Sequence, residues 1–534
     1  MKNFRLLSLF AVSAMLCGCQ EKDNPTPDPT PTEKAPTAIT LSQSSFSFTK
    51  DGGEASLTVK APFRPSFSGT PSWITVKDGT FDKYQITYTL TASANTAYEE
   101  RSATVTLKAT GVSDVTFTVS QEAAEKPEEP TPGTEVNQAV IDAMGMGWNM
   151  GNHFDAYYNG SWAGEKEGYP DETAWQGEKA TQATFNGLKS LGFTSVRIPI
   201  SWLKMIGPAP DYSIDETWMN RIYEVVGFAH NAGLTVIINT HHDENHGVSN
   251  SYQWLDILGA SNNSAKNESI KAEIKAVWTQ IANKFKDCDD WLIMESFNEL
   301  NDGGWGWSAA FKANPTKQCN ILNEWNQVFV DVVRATGGNN ATRWLGVPTY
   351  AASPSFEEYW TLPSDPAGKT MLAVHFYDPS AYTIGTEQYS DWGHTANREK
   401  DSEGNYKYWA GSGDEDHVKA VFGNLYTKYV SHGIPVYLGE YGCSMRSKSD
   451  TRAWAFYKYY MEYVVKAAKT YGLPCYLWDN GATGNGQEEH GYVNHGTGQP
   501  IGNSKEILDI IKKAWSTESA GYTLETVYNS APKY

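Results

Sequence analysis

Two stretches of this 534-residue chain run apolar and then end in an acid. One is Trp291-Leu292-Ile293-Met294-Glu295-Ser296-Phe297-Asn298-Glu299, the other Pro435-Val436-Tyr437-Leu438-Gly439-Glu440-Tyr441-Gly442. A carboxylate at the end of a buried strand is costly unless it is hydrogen-bonded, paired or put to chemical use. Two acids at strand exits suit glycosidic bond hydrolysis, which needs one carboxyl protonated at rest and one ionised. In a retaining reaction the two stand about 5–5.5 Å apart. Glu299 and Glu440 are the candidate pair. The same chemistry uses an Arg or a Tyr hydroxyl beside the nucleophile, an Asn near the acid to meet the sugar 2-OH, and a Trp as stacking floor. Each of these types follows an apolar run here: Asn152, Arg197, His241 with His242, Asn298, Tyr350, His375, Tyr377 and Trp478.

Elements able to gather these residues can be read from hydrophobic patterning. The predicted strands are 145–151, 195–201, 235–240, 291–299, 344–350, 371–377, 435–442 and 474–480, most of them nearly continuous apolar runs suited to parallel strands buried on both faces. Helical segments lie between them. Ile270, Ile274, Val277, Ile281 and Phe285 form one amphipathic stripe; others run from Asp215 through Val226 and from Thr451 to Lys469. The last starts at Asn503 with Glu506 three residues on, a capping-box-like beginning. Eight strands alternating with helices predict an α/β fold, a (β/α)8 TIM barrel. A doubly wound sheet would want a glycine-rich phosphate turn after its first strand, and none is present. The strand-to-helix loops 153–178, 243–265, 300–317 and 378–412 are long and the return links short, so the loops should gather at the carboxyl ends of the strands.

The N-terminal quarter reads differently. Lys2 and Arg5 precede the apolar run Leu6 to Met15, which closes on Leu16-Cys17-Gly18-Cys19. That is an export signal resembling a bacterial lipobox, with Cys19 as the lipid-bearing residue, and Gln20-Glu21-Lys22-Asp23 resembles the surface-export tag of Bacteroidetes lipoproteins. The expected plan is a signal peptide over 1–19, a Pro-rich tether over 20–37, a small all-β immunoglobulin-like sandwich over 38–123, a linker over 124–135 and the barrel over 136–534. In the sandwich Phe46 and Phe48, then Ile86, Tyr88 and Leu90, alternate with polar residues, and Asp51-Gly52-Gly53 marks a turn. Pro71-Ser72-Trp73-Ile74 and the closing Val119-Ser120-Gln121 resemble the BACON domain, a family often taken to bind carbohydrate or mucin. Trp73 sits in an apolar run and reads as core, and the unit as a spacer. A net charge of −19 disfavours nucleic acid or an anionic membrane surface as partner.

The barrel region carries seven motifs in order: Gly147-Trp148-Asn149-Met150-Gly151-Asn152, Glu172-Thr173-Ala174-Trp175, Val196-Arg197-Ile198-Pro199, Asn239-Thr240-His241-His242, Phe297-Asn298-Glu299, His375-Phe376-Tyr377 and Gly439-Glu440-Tyr441-Gly442. Together they resemble glycoside hydrolase family 5, and most of all its subfamily 4 endoglucanases and xyloglucanases. The resemblance covers about residues 140–517. It implies Glu299 as acid/base and Glu440 as nucleophile, with retention of configuration. It also implies that Arg197 and Tyr377 orient Glu440, that Asn298 meets the 2-OH, and that His241, His375 and Trp478 line the −1 subsite. Asn152 and Trp175 join the expected substrate-binding set. One departure stands out: the family's Asn-Glu-Pro is Asn298-Glu299-Leu300 here, which lifts the proline's restriction on Glu299.

The expected activity is endo-β-1,4-glucanase without cofactor or metal, acting on a β-glucan such as xyloglucan, from a monomer anchored by lipid at the outer membrane. A β-mannanase stays open, since these motifs do not read the sugar's C2 configuration. A non-catalytic glycan-binding lipoprotein would predict loss of a carboxylate or its supports, and all are present. Trp162, Trp175, Trp305 and Trp307 are candidates for stacking on glucan. Glu295 should point the same way as Glu299, deeper in the barrel, as a satisfied internal group. His241 and His242, at a strand end, should face opposite ways. Cys443 and Cys475 read as buried small hydrophobes, and a Cys288–Cys319 disulfide is left open.

Overall fold

A computed structural model describes residues 34–95, 100–123, 135–160, 166–247, 251–385, 389–484 and 486–533. They fall into two compact units that divide between residues 126 and 127. Cys19, the tether up to residue 33, nearly all of the expected linker and Trp162 lie outside the described residues.

The N-terminal unit is built from β1 (Thr40–Leu41), β2 (Ser45–Phe48), β3 (Gly53–Lys60), β4 (Ser66–Ser68), β5 (Ile74–Asp78), β6 (Gln85–Ala92), β7 (Arg101–Lys108) and β8 (Val115–Gln121). They form two four-stranded sheets, ordered β1-β3-β6-β5 and β2-β8-β7-β4. Period-two alternation decides which face is dry. Phe46, Phe48, Leu57, Val59, Ile86, Leu90, Val105, Leu107, Phe117 and Val119 are all buried in one core. The Asp51-Gly52-Gly53 turn needs its glycine, because Gly52 has φ +85° and a Cβ there would lie 2.3 Å from the Ala92 carbonyl oxygen. Trp73 is half-buried against the core, with Arg101 4.7 Å above its ring.

The second unit is a closed barrel of eight parallel strands. They are β9 (Met146–Asn149), β10 (Ser195–Ile198), β11 (Thr235–Ile238), β12 (Leu292–Glu295), β13 (Leu345–Pro348), β14 (Thr370–Phe376), β15 (Val436–Tyr441) and β16 (Cys475–Leu477). They pair in chain order, and β16 closes on β9. Alternate residues separate two dry regions. Val236, Ile238, Leu292, Met294, Val436 and Leu438 pack outward against the helices. Ile237, Ile293, Met371, Ala373, Tyr437 and Tyr476 fill the interior with Val140 and Met144 from the helix Glu135–Met144. Residues 192–194, 232–234 and 471–474 suffice to return from helix to strand, whereas 150–181, 239–256 and 478–503 run from strand to helix.

All eight predicted barrel strands are present, yet most are shorter than read from sequence. The difference falls mainly at their carboxyl ends: 239–240 and 296–299 have left the strands, with Asn239 donating to Glu295, Thr240 to the Ser296 carbonyl, and Asn298 and Glu299 meeting Arg197 and His375. Helices Glu216–Asn231, Ser264–Lys284 and Thr451–Thr470 match the predicted segments, with Asp215, Asn263 and Asp450 as hydrogen-bonding N-caps. The capping box at Asn503 does not form. The Glu506 N–H goes to the Asn503 carbonyl at 3.2 Å rather than to its side chain, and the Glu506 carboxylate is taken by Lys448 and Lys458, each at 2.8 Å. Cys288 and Cys319 are both buried and unpaired, so the open disulfide is decided against; Cys443 and Cys475 are buried as read.

Candidate active site

The deepest polar group is Arg197, fully buried inside β10. A buried guanidinium is tolerable only when its donors are used and its charge is balanced. Its Nε–H meets Glu295 at 3.1 Å; one terminal nitrogen donates to Glu295 (2.7 Å) and Asn298 Oδ1 (2.7 Å), the other to Asn149 Oδ1 (3.0 Å) and Glu440 Oε1 (2.9 Å). Every donor is spent. Burial works against its charge, but Glu295 and Glu440 outweigh that and raise its pKa further. Glu295 also accepts from Asn239 (2.9 Å) and the Tyr437 hydroxyl (2.6 Å). Burial would raise its pKa, yet Arg197 holds it below the ordinary range, so Glu295 is a satisfied internal carboxylate as expected.

Above this layer stand the two candidate acids. Glu440 is the penultimate residue of β15, and a register shift after Val374 brings His375 of β14 opposite it. Such a bulge re-aims one side chain without breaking the sheet. Glu440 accepts from Arg197 and, at 3.0 Å, from the Tyr377 hydroxyl. Glu299 lies beyond the end of β12, its Oε1 2.6 Å from His375 Nδ1, which is 3.6 Å from Glu440 Oε2. One oxygen of each acid and a nitrogen of His375 all lie within 4.8 Å of one another.

The two acids differ in electrostatics. Burial pushes Glu299 up to about 8, with Glu244 adding to the rise and Arg197 and His242 opposing it. Burial also raises Glu440, while His375, Arg197 and the Tyr377 hydrogen bond hold it back. His375 is driven down to about 4, chiefly by burial, and is neutral at pH 7. Near neutrality one acid is therefore protonated and the other is the better place for a negative charge. Leu300, in place of proline, is buried in the outer core, and its carbonyl accepts the Ala351 N–H at 2.9 Å.

These groups open into a cavity of about 590 Å³ lined by Glu299, Glu440, His241, Asn298, His375, Tyr377 and Trp478, among others. Trp478 lies parallel to the His241 ring at 5.8 Å. Gly151 makes room for it: a Cβ there would sit 2.8 Å from the indole. Trp305, half exposed, lines the cavity, whereas the more exposed Trp307 does not, its ring covered by Lys312 Nζ at 4.7 Å. Trp175 stands one residue back, its Nε1–H donating to the Tyr157 carbonyl and its ring 5.7 Å from His242, which does line the cavity.

Two expectations fail. Asn152 does not line the cavity; in a left-handed conformation (φ +58°), it donates its backbone N–H to Asp155 at 3.0 Å. His241 and His242 do not face opposite ways, because β11 has already ended at Ile238 and strand alternation no longer applies; both rings line the cavity, 4.5 Å apart. His242 lies 3.6 Å from Asp155 and 3.7 Å from Glu244, and despite burial these carboxylates push its pKa up to about 10. Asp155, His241 and His242 bring ligand-type atoms within 4.8 Å, but the Asp155 oxygens already accept the N–H groups of Asn152 and His153. Glu488 and His490, which line the cavity, were not singled out from sequence. The available signal was the turn at Asp479-Asn480-Gly481, where buried Asp479 accepts from Trp148, Gly481 and Val493 and folds the following loop back over the site.

Comparison with known proteins places matches on both units. A model of Cellulase (glycosyl hydrolase family 5) matches residues 157–484, and a BACON model matches 65–122. Endoglucanase A of Paenibacillus barcinonensis is 36% identical over 370 residues, spanning 66% of this chain and 84% of that protein. A xyloglucan-specific endo-beta-1,4-glucanase of Bacteroides ovatus is 30% identical over 491 residues, 88% of this chain and 89% of its own. Among solved structures, a GH5-4 broad specificity endoglucanase from Bacteroides salanitronis superposes with a TM-score of 0.66 at 44% identity, over 74% of this chain and 100% of that one.

Proposed function

Because the chain belongs to glycoside hydrolase family 5, we propose that it is a retaining endo-β-1,4-glucanase whose first substrate is xyloglucan, with mixed-linkage glucan close behind. The observation that carries the chemistry is the acid pair within 4.8 Å, one member pushed up to about 8 and the other tied to Arg197 and Tyr377. That spacing suits direct attack and leaves little room for a water between the acids.

The reaction runs in two displacements. A Glu440 oxygen attacks the anomeric carbon while Glu299 gives its proton to the glycosidic oxygen, which leaves with the bonding electrons. Water then attacks the glycosyl ester; ionised Glu299 takes its proton, and Glu440 departs as carboxylate. Arg197 and Tyr377 aim the nucleophile. Asn298, whose Oδ1 is held by Arg197 at 2.7 Å, keeps its amide hydrogens for the sugar 2-OH. Trp478 and His241 give the −1 ring a flat floor, and exposed Trp175 and Trp305 offer stacking surface beyond it. Xyloglucan is favoured over mannan because the Bacteroides ovatus relative, similar across both units, carries that name.

We further propose that the protein is a monomeric cell-surface lipoprotein held at the outer membrane through Cys19, as the lipobox-like Leu16–Cys19 and the acidic residues after it support. Among the described residues no helix is long and apolar enough to cross a membrane. Replacing Cys19 with Ala should move the protein from the membrane to the soluble fraction.

Reducing-end release from xyloglucan, mixed-linkage glucan, cellulose and glucomannan tests the activity. Wild type should favour xyloglucan, and Glu299→Gln and Glu440→Gln should each lose at least about a thousandfold. Activity confined to glucomannan would overturn the substrate, and full activity in either variant would overturn the mechanism.

A further inference from the structure

A third carboxylate at the cavity, Glu488, has no part in the reaction above. It is exposed, and its backbone is left-handed at φ +53°, a region unfavourable for a residue with a Cβ. The surroundings impose that conformation. Buried Asn480 donates its amide to the Glu488 carbonyl at 2.6 Å and accepts the N–H groups of Ala482 (3.1 Å) and His490 (3.2 Å). On the next residue, the Glu489 carbonyl accepts the Met445 N–H at 2.8 Å. Buried His490 packs edge-on against Tyr377, the residue that holds Glu440. Asn480 thus fixes the strained backbone of Glu488 at the cavity lining, two residues before the histidine that packs on Tyr377. Among the described residues, its carboxylate makes no hydrogen bond or ion pair.

Resting on the glucanase reading, we propose that Glu488 is a specificity-determining residue: its carboxylate accepts hydroxyl hydrogen bonds from a neutral glucosyl unit and turns away glucans that carry acidic substituents. An ionised carboxylate is acceptor-only and can take two sugar hydroxyls at once, whereas a carboxymethyl or uronate group offers it only like charge. Glu440, which lines the same cavity, adds to that repulsion when ionised. Asp378, also at the cavity, is taken by His417 at 2.7 Å. Glu488 also contributes to the upward push on Glu299, in keeping with its carboxylate being close to the reacting bond.

The test compares wild type, Glu488→Gln and Glu488→Gly on mixed-linkage β-glucan and carboxymethyl cellulose, at low and high salt. Glycine suits the left-handed backbone, so that variant keeps the loop while removing the carboxylate. The ratio of kcat/KM on neutral over carboxymethylated glucan should fall about tenfold in both variants, mostly through KM on the neutral polymer. Added salt should raise the rate on carboxymethyl cellulose more for wild type than for either variant. An unchanged ratio in Glu488→Gly with an unchanged melting temperature overturns the proposal. Wild type inactive on both polymers and on xyloglucan would instead overturn the glucanase reading beneath it.

Discussion

At the scale of single residues, the site works by giving two similar side chains opposite surroundings. Glu299 must hold its proton and Glu440 must lose one, so each limb of the pH profile belongs to one of them. Only protonated Glu299 can donate, and its pKa is pushed up to about 8, so kcat/KM should fall about tenfold per pH unit above pH 8. Glu440 is active only when ionised and is raised above the ordinary carboxylate range, so the acid limb should lie above pH 4.5. A profile flat between pH 7 and 10 would sink this assignment. Arg197 invites a stability measurement instead. Arg197→Ala leaves Glu295 and Glu440 buried without their cation, which should cost about 3–5 kcal/mol and lower the melting temperature even without substrate. A variant that melts with wild type would show that the carboxylates find other partners.

At the scale of elements, the barrel strands deliver side chains to one rim, and close backbone approach sets what fits there. Gly151 follows β9 and faces the Trp478 indole and the Asp479 carbonyl, each 2.8 Å from the Cβ it lacks. Gly151→Ala should tilt Trp478 and raise KM severalfold with a smaller change in kcat; an unchanged KM would mean the indole does not carry the sugar. What sequence could convey follows the same division. Strands buried on both faces are continuous apolar runs, so β9 to β16 were legible, and so were the polar residues at their ends. The pairing of Arg197 with Glu440 came with the family resemblance, and the two groups stand 2.9 Å apart. Where the ladder stops was not legible. His241 and His242 therefore turned out side by side, and Asn152, at an apparent strand exit, spends its backbone on Asp155 instead of facing the cavity. Glu488 was hidden for another reason: its place depends on Asn480 and a folded-back loop, a contact without periodicity. Glu506 looked like a cap because sequence spacing does not show the two lysines that claim it.

At the scale of the molecule, each unit holds a dry core of its own, and neither leans on a disulfide among the described cysteines. Calorimetry with and without reductant should give the same melting temperatures; a reductant-sensitive transition would mean that Cys288 and Cys319 pair after all. The barrel's interior has a further consequence. Its amino end is stoppered by Val140, Met144 and Trp344, with buried Ser195 donating to the Met144 carbonyl, and charged groups enter the filling only at Arg197 and Glu295. Like a flask with one neck, such a vessel exchanges protons with the medium through its mouth, and a seated glucan chain occupies that mouth. The proton that Glu299 surrenders in the first displacement is then restored by the very water that completes the second. The catalyst ends each turnover as it began, without needing bulk solvent to reset it.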